Sequence, residues 1–277
     1  NTKNQIFNVS VSPSTGYSSK FVNAGKIQNK GFELNVYGTP FKTKNFDWTV
    51  NVNFSRNINK VIKLFEDEFG NKVTNIQIAN FPGGVTLNAT EGEALGSLKG
   101  SDFIYHPSNG QKVVDANGNY KKTTATDITL GNINPKFIAG ITNTFTYKNF
   151  SYSFLIDMQQ GGSIWSVDMW YGMGTGLYPE TASKNAKGHS IRDKVWQGGG
   201  VVLEGVKEDG TKNDIYTDAY TAFGYNHDPN AGYIYDASYV KLREMSLSYK
   251  IPFKKDGFFT NANVGLVGSN LWINKKN

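Results

Sequence analysis

Residues 46–54 read Phe46-Asp47-Trp48-Thr49-Val50-Asn51-Val52-Asn53-Phe54. Each even position of this stretch carries an aromatic or aliphatic side chain, and each odd position carries a polar one. Successive side chains of a β-strand point to opposite faces of the sheet, so a period of two predicts a strand with one apolar and one hydrated face. The same alternation recurs at residues 32–36, 137–147, 150–158 and 245–251.

The composition of the 277 residues excludes several classes of protein. The absence of Cys excludes a disulfide framework, a thiolate metal site and Cys-based catalysis. Mean hydropathy is −0.45, and no unbroken apolar run reaches the roughly 18 residues of a transmembrane helix. The net charge of +6 is spread along the chain without a run of four Lys or Arg, so we expect no nucleic-acid partner. These features predict an all-β fold.

Strands with one apolar face fit two architectures, a soluble sandwich and a membrane barrel. The predicted strands are about 11–14 residues long, compared with about 5–6 residues in soluble sheets and about 9–11 in a tilted membrane strand. The sequence therefore favours an antiparallel transmembrane β-barrel segment. The alternative is a secreted β-sandwich that acts as a glycan-binding module. The predicted strands cover residues 5–11, 25–38, 46–58, 137–148, 150–162, 238–251 and 262–273.

The connections between these strands are either short or long. Outer-membrane barrels have short periplasmic turns and long outer loops, so the long connections 59–136 and 163–237 are expected to be extracellular. We expect 59–136 to form a hairpin above the membrane without adding a span, with two spans as the alternative. The short connections are 39–45, 148–149 and 252–261. Aromatic residues near them predict a membrane girdle of Phe46, Trp48, Tyr147, Phe150, Tyr152, Tyr249 and Phe253.

Two basic residues conflict with the alternation in the sixth predicted strand. Lys241 and Arg243 share parity with the apolar residues Met245 and Leu247. Either both cations lie above the lipid, or a β-bulge between Leu242 and Met245 exchanges the faces of the strand.

The number of predicted strands is odd, whereas bacterial single-chain barrels have an even number. An open sheet would also expose unpaired backbone groups to lipid, where they find no hydrogen-bond partner. We therefore expect the chain to be a fragment of a larger barrel, with at least one further strand missing, and to pair with the rest of that barrel.

A series of short motifs occurs in an order that resembles the C-terminal part of the SusC/RagA family of TonB-linked outer-membrane transporters. The resemblance covers nearly the whole chain, and the shared order of the motifs carries it. The motifs are GKIQNKGFEL at 25–34, FDW at 46–48, NFSRN at 53–57, GNINPKF at 131–137, YKNF at 147–150, GGVVLEGV at 199–206, YDASYVKLRE at 235–244, SYKIP at 248–252 and GSNLW at 268–272.

This resemblance implies a fold, a location and partners. It implies a plugged barrel of about 22 strands in the outer membrane of a Gram-negative bacterium, importing oligosaccharides or peptides with energy from TonB. It also implies a SusD-like surface lipoprotein that closes over the barrel as a lid. The family's plug domain and TonB box have no counterpart here. No enzymatic activity and no cofactor are implied.

The long connection 163–237 holds the candidate contact residues. Aromatic side chains bury much area at low entropic cost, so they suit contacts with a sugar, a peptide or a lid protein. The alternative is that they pack a small core within the loop itself. The candidates are Trp165, Trp170, Tyr171, Tyr178, Trp196 and Tyr225.

No pattern of catalytic or metal-binding residues stands out. The residues Asp115 to Asn119 partly resemble a calcium loop, but Tyr120 stands where that loop needs Gly and Thr126 where it needs Glu. We therefore predict an ordinary turn held by the Asp115 side chain, and we expect no metal site.

Overall fold

The computed structural model describes residues 2–10, 19–66, 70–223, 228–253 and 261–275, and in β1 and residues 19–24 of β2 it describes the backbone alone. Strands dominate, and the helices are short. The strands are β1 (Thr2–Ser10), β2 (Ser19–Lys42), β3 (Phe46–Lys63), β4 (Asn75–Asn80), β5 (Thr86–Thr90), β6 (Ser97–Gly100), β7 (Ile128–Asn132), β8 (Phe137–Tyr147), β9 (Phe150–Gln160), β10 (Ser163–Trp165), β11 (Ile234–Asp236), β12 (Tyr239–Ile251) and β13 (Ala262–Lys275). The helices are α1 (Val167–Gly174), α2 (Ala219–Ala222) and 3₁₀ turns at Pro179–Ala182, Val195–Gln197 and Asn230–Tyr233.

The described strands form one large antiparallel sheet of seven strands in the order β1-β2-β3-β8-β9-β12-β13. The predicted all-β barrel segment and its seven strands are confirmed, although residue 11 of the first predicted strand lies outside the described residues. The sheet is open, with β1 and β13 at its edges. Strand β2 is longer than predicted because its first part pairs with β1 and its remainder pairs with β3.

The register aligns apolar side chains in rows on one face of this sheet. We call this the apolar face, and its rows include Phe46–Tyr147–Phe150–Tyr249, Trp48–Phe145–Tyr152–Leu247 and Val52–Ile141–Ile156–Leu242. The opposite, polar face carries the rows Asp47–Thr146–Ser151–Ser248 and Thr49–Thr144–Ser153–Ser246. The alternation found in the sequence therefore continues from strand to strand.

Nothing in the described part of the chain covers the apolar face. Phe32 is 59% exposed, and Leu266 is 77% exposed. A sandwich would bury these side chains against a second sheet about 10 Å away. Their exposure argues against the sandwich. It fits a face that meets lipid.

A β-bulge resolves the parity conflict in β12. The register of β12 shifts between Leu242 and Glu244 against both of its neighbours, and against β9 Arg243 is the inserted residue. Leu242 pairs with Ile156 on the apolar face, whereas Lys241 pairs with Asp157 on the polar face. The bulge predicted as one of two possibilities is thus confirmed, and it turns the cations away from the apolar face.

The described residues of the two long connections fold into further sheets and short helices, which we call the loop domain and define as residues 64–66, 70–135, 161–223 and 228–238. It holds a four-stranded sheet in the order β4-β5-β6-β7 and the two-stranded sheet β10-β11. Strand β3 continues to Lys63 and pairs directly with β8, so no described strand between Lys63 and Phe137 belongs to the large sheet. The segment predicted as a hairpin is in fact this four-stranded sheet.

The hydrophobic core of the described residues lies in the loop domain and at its junction with β3. One cluster joins Val61 and Leu64 to Ile76 and Ala89, and a second contains Val85, Leu98, Trp165, Trp170 and Tyr233. No described helix has the length and apolar character needed to cross a lipid bilayer.

Candidate functional site

The predicted girdle residues lie together at the end of the sheet that carries the short connections. Phe46 pairs with Tyr147, and the rings of Phe150 and Tyr249 lie 4.6 Å apart between centroids. Phe253 follows the end of β12 and is 41% exposed. The structure thus brings these residues to one end of one face. Their position at a membrane interface stays a prediction.

One member of this aromatic band was missed in the sequence. Phe145 stacks on Trp48 with a centroid distance of 6.0 Å and lies 6.4 Å from the ring of Tyr152. Its place in the alternating stretch 137–147 was the available signal, because register puts it in the same row as Trp48. The Trp48 indole also donates a hydrogen bond of 3.1 Å to Asn143 Oδ1. Asn143 lies on the apolar face, and this bond gives its side-chain oxygen a hydrogen-bond partner.

The polar face carries an ionic cluster at the β12 bulge. The Arg243 guanidinium forms an ion pair with Asp157, and its Nε donates to Asp157 Oδ2 at 2.7 Å. The Tyr239 hydroxyl donates to the same oxygen at 3.2 Å. A paired and hydrogen-bonded charge of this kind suits a face that lines a hydrated space, and it would be costly in lipid.

Two of the candidate contact residues belong to the core of the loop domain. Trp165 is 8% exposed and Trp170 is 6% exposed, and their ring centroids lie 5.9 Å apart. Tyr233 meets Trp165 edge-on at 6.0 Å. For these two tryptophans the structure favours the alternative that they pack the loop's own core.

The other candidates lie nearer the surface. Trp196 is 82% exposed, and Tyr171 is 46% exposed. The hydroxyl of Tyr178 donates a short hydrogen bond to Asp168. Tyr225 lies outside the described residues. The contact role stays a prediction, and exposure makes Trp196 its strongest candidate.

The predicted turn at Asp115 is confirmed. Asp115 Oδ1 accepts hydrogen bonds from the backbone N–H groups of Asn117 at 2.8 Å and Asn119 at 3.0 Å. The carboxylate is therefore engaged by its own turn. In turn, Asn119 Oδ1 accepts from the Thr217 hydroxyl at 2.9 Å, which ties this turn to the second long connection.

Buried polar contacts join the two long connections into one domain. Asn230 Oδ1 accepts from the backbone N–H of Ser101 at 2.9 Å and from its hydroxyl at 3.0 Å. Asn230 Nδ2 donates to the carbonyl of Gly83 at 2.8 Å. These partners are separated by more than one hundred residues, so the sequence alone offered no signal for them.

The carboxylate of Asp228, two residues before Asn230, is largely removed from water. Desolvation raises the pKa of Asp228 from 3.8 to about 6, although a hydrogen bond from Tyr233 and the charges of Lys112 and Lys122 oppose the rise. The Tyr233 hydroxyl donates to Asp228 Oδ2 at 2.7 Å, and desolvation also raises the pKa of Tyr233. The folded domain therefore binds a proton at Asp228 more tightly than the unfolded chain does.

We expect this carboxylate to make the loop domain less stable at neutral pH. A raised folded-state pKa contributes stability that is full below pH 3.8 and is lost as the pH rises through about 6. The shift corresponds to about 3 kcal/mol. The free energy of unfolding of the unmodified protein should therefore fall by about 2–3 kcal/mol between pH 4 and 7.5 because of this group. In Asp228→Asn this part of the fall should be absent. Urea unfolding followed by tryptophan fluorescence measures it.

The matched control for this experiment is Asp214→Asn. A hydrogen bond from Lys207 lowers the pKa of the exposed Asp214, so removal of this carboxylate should leave the loss of stability between pH 4 and 7.5 in place. An Asp228→Asn variant with the pH profile of the unmodified protein would contradict the assignment.

No protein-family model matches the chain, but several known proteins are similar to it. A TonB-dependent receptor of Formosa agariphila is 27% identical over 292 residues, which cover 98% of this chain and 27% of that protein. The TonB-dependent receptor SusC of Bacteroides thetaiotaomicron is 25% identical over 170 residues, which cover 55% of this chain and 16% of SusC.

A solved structure agrees with these relatives. The structure of the RagAB peptide transporter matches with a TM-score of 0.63 at 20% identity, over 99% of this chain and 29% of that chain. The fold is therefore shared with a part of that transporter. The chain is similar to TonB-dependent receptors, SusC among them, so the resemblance drawn from its motifs is confirmed. The chain spans about a quarter of the length of the Formosa agariphila relatives that it matches.

Proposed function

We propose that this chain forms part of the wall of an outer-membrane TonB-dependent transporter, with the apolar face against lipid and the polar face toward the lumen. The observation that carries the proposal is a single-layer sheet with rows of aromatic and aliphatic side chains on one face, which no described part of the chain covers. The rows from Phe46 to Phe54 on the apolar face, which we call the apolar band, extend over nine residues of β3, and a membrane strand needs about 9–11 residues.

The transported substrate that we propose is an oligosaccharide or a peptide. Support comes from the similarity to SusC and from the likeness to a protein described as a peptide transporter. TonB would supply the energy by acting on another part of the transporter. The chain itself would supply barrel wall and loop domain, and we assign it no catalytic role.

A SusD-like lipoprotein is the partner that we propose at the loop domain. Exposed aromatic anchors are typical of protein interfaces, and Trp196 has the exposure that such an anchor requires. Tyr171 lies on the same long connection and is also exposed. Contact of either residue with lid or ligand is part of this proposal.

Thiol labelling of intact cells tests the orientation of the sheet. Because these 277 residues lack Cys, each introduced thiol is the only one in this part of the protein. A thiol replacing Lys72 or Lys184, both exposed in the loop domain, should react with a membrane-impermeant maleimide. A thiol replacing Lys44 or Asn149, in the short connections, should react only after the outer membrane is permeabilised. Equal labelling of both pairs in intact cells would contradict the proposal.

A further inference from the structure

A group of cations lies on the apolar face of β2 and β3, at the end nearest the loop domain. We call it the basic cluster and define it as Lys30, Arg56 and Lys60. All three are exposed. In the register of the two strands Arg56 pairs with Phe32, Lys30 pairs with Ile58, and Lys60 pairs with Gln28.

This register groups the three charges around Ile58. Residues diagonal to each other on neighbouring antiparallel strands lie about 7–8 Å apart. Lys30 is diagonal to both Arg56 and Lys60, because its partner Ile58 lies two residues from each of them. Three positive charges therefore surround one exposed apolar side chain.

No charge of opposite sign balances the basic cluster on its own face. The positions of this face from Gln28 to Gly38 and from Phe46 to Lys60 carry no Asp or Glu. Glu33, the nearest acid in β2, pairs with Ser55 and lies on the polar face. Within the described ranges, the structure gives none of the three cations a hydrogen bond or an ion pair.

The basic cluster borders the apolar band on one side and a cavity on another. Phe32 and Phe54, with ring centroids 6.3 Å apart, mark the end of the band. A cavity of about 430 Å³ opens beside Arg56 and Ile58, and Lys136 also lines it. Acyl chains along the band would thus place their headgroups at the cluster and the mouth of the cavity.

From this placement we propose that Lys30, Arg56 and Lys60 bind the phosphate group of an anionic lipid in the leaflet that surrounds the long connections. This inference rests on the proposed function, which sets the apolar face against lipid. Arg matches the geometry of phosphate with two parallel hydrogen bonds, while Lys contributes a flexible point charge. The adjoining apolar rows select a phosphate that carries acyl chains.

Native mass spectrometry of the protein, extracted from outer membranes in mild detergent and titrated with phosphatidic acid, tests the proposal. Each surface cation changes affinity for an anionic lipid roughly fivefold, so Lys30→Gln, Arg56→Gln and Lys60→Gln together should weaken binding about 100-fold. The control variant Lys72→Gln, Lys184→Gln and Lys194→Gln removes the same charge from the loop domain. Its affinity should stay within about twofold, since screened charges beyond about 10 Å interact weakly.

Each other outcome overturns the inference. Equal loss in both variants would show a general charge effect, and no loss would show that the cluster does not bind lipid phosphate. Displacement of phosphatidic acid by millimolar inorganic phosphate would identify a site for a free anion. Outer-membrane fractionation of the same variants separates this failure from that of the proposed function, because an unmodified protein found outside that membrane refutes the barrel assignment itself.

Discussion

Replacement of Val50 by Lys should lower the free energy of unfolding by about 2–4 kcal/mol in a lipid bilayer. Val50 lies at the middle of the alternating residues 46–54 of β3, on the apolar face, where it pairs with Gly38 and Asn143. An ammonium group at this position would have to leave water for hydrocarbon, and the cost is greatest at the bilayer midplane. Urea titration of the protein folded into phosphatidylcholine vesicles measures the change. Ile156→Lys, one row nearer the loop domain, should cost a similar amount.

The matched control is Asn51→Lys, one residue away and at nearly the same depth. Asn51 lies on the polar face opposite Tyr37 and Thr142, so its replacement should cost less than about 1 kcal/mol. Asp157, on the same face, is unsuitable as a control because it is paired with Arg243. Similar losses in Val50→Lys and Asn51→Lys would show that the two faces have the same environment.

Trp170→Ala should destabilise the loop domain by about 3–5 kcal/mol, since it removes a large buried side chain and leaves a cavity. Trp170 is in contact with Trp165 and the rest of the second core cluster, which contains residues from both long connections. The loss should therefore affect the domain as a unit. Urea unfolding followed by near-ultraviolet circular dichroism measures it.

Trp196→Ala provides the matched comparison within the same connection. Because Trp196 is 82% exposed, its loss should change stability by no more than about 0.5 kcal/mol. If Trp196 anchors a SusD-like lipoprotein, this variant should retain less of that partner after purification in mild detergent. Unchanged retention would remove Trp196 from the proposed interface. Equal destabilisation by both substitutions would contradict the assignment of Trp170 to the core.

The large sheet could be predicted from the sequence because β3, β8, β9 and β12 each place most of their apolar residues on one face. Residues 46–54 alternate without interruption, residues 150–158 alternate except at Leu155, and their pairing across β8 preserves the two faces. The bulge at Arg243 was predictable as one of two possibilities, because Lys241 and Arg243 share parity with the apolar residues Met245 and Leu247. Register against β9 then decided between the alternatives.

The loop domain could not be predicted in the same way. Its strands are short, and β6 is buried at every position from Ser97 to Gly100, so no alternation marks it. Residue type also failed to separate Trp165 and Trp170 from Trp196, because an aromatic ring suits a core and an interface equally well. The contacts between Asn230 and Ser101 depend on packing between segments far apart in the chain.

A spin-label accessibility scan of positions 46 to 55 tests the central claim most directly. A nitroxide would be attached to a single introduced Cys at each position of the protein in vesicles, and its collisions with oxygen and with a water-soluble nickel chelate would be measured. The account predicts that oxygen accessibility peaks at 48, 50, 52 and 54, whereas the chelate reaches 49, 51 and 53. Low accessibility to both reagents at the even positions would show those side chains packed inside protein, and would contradict the account.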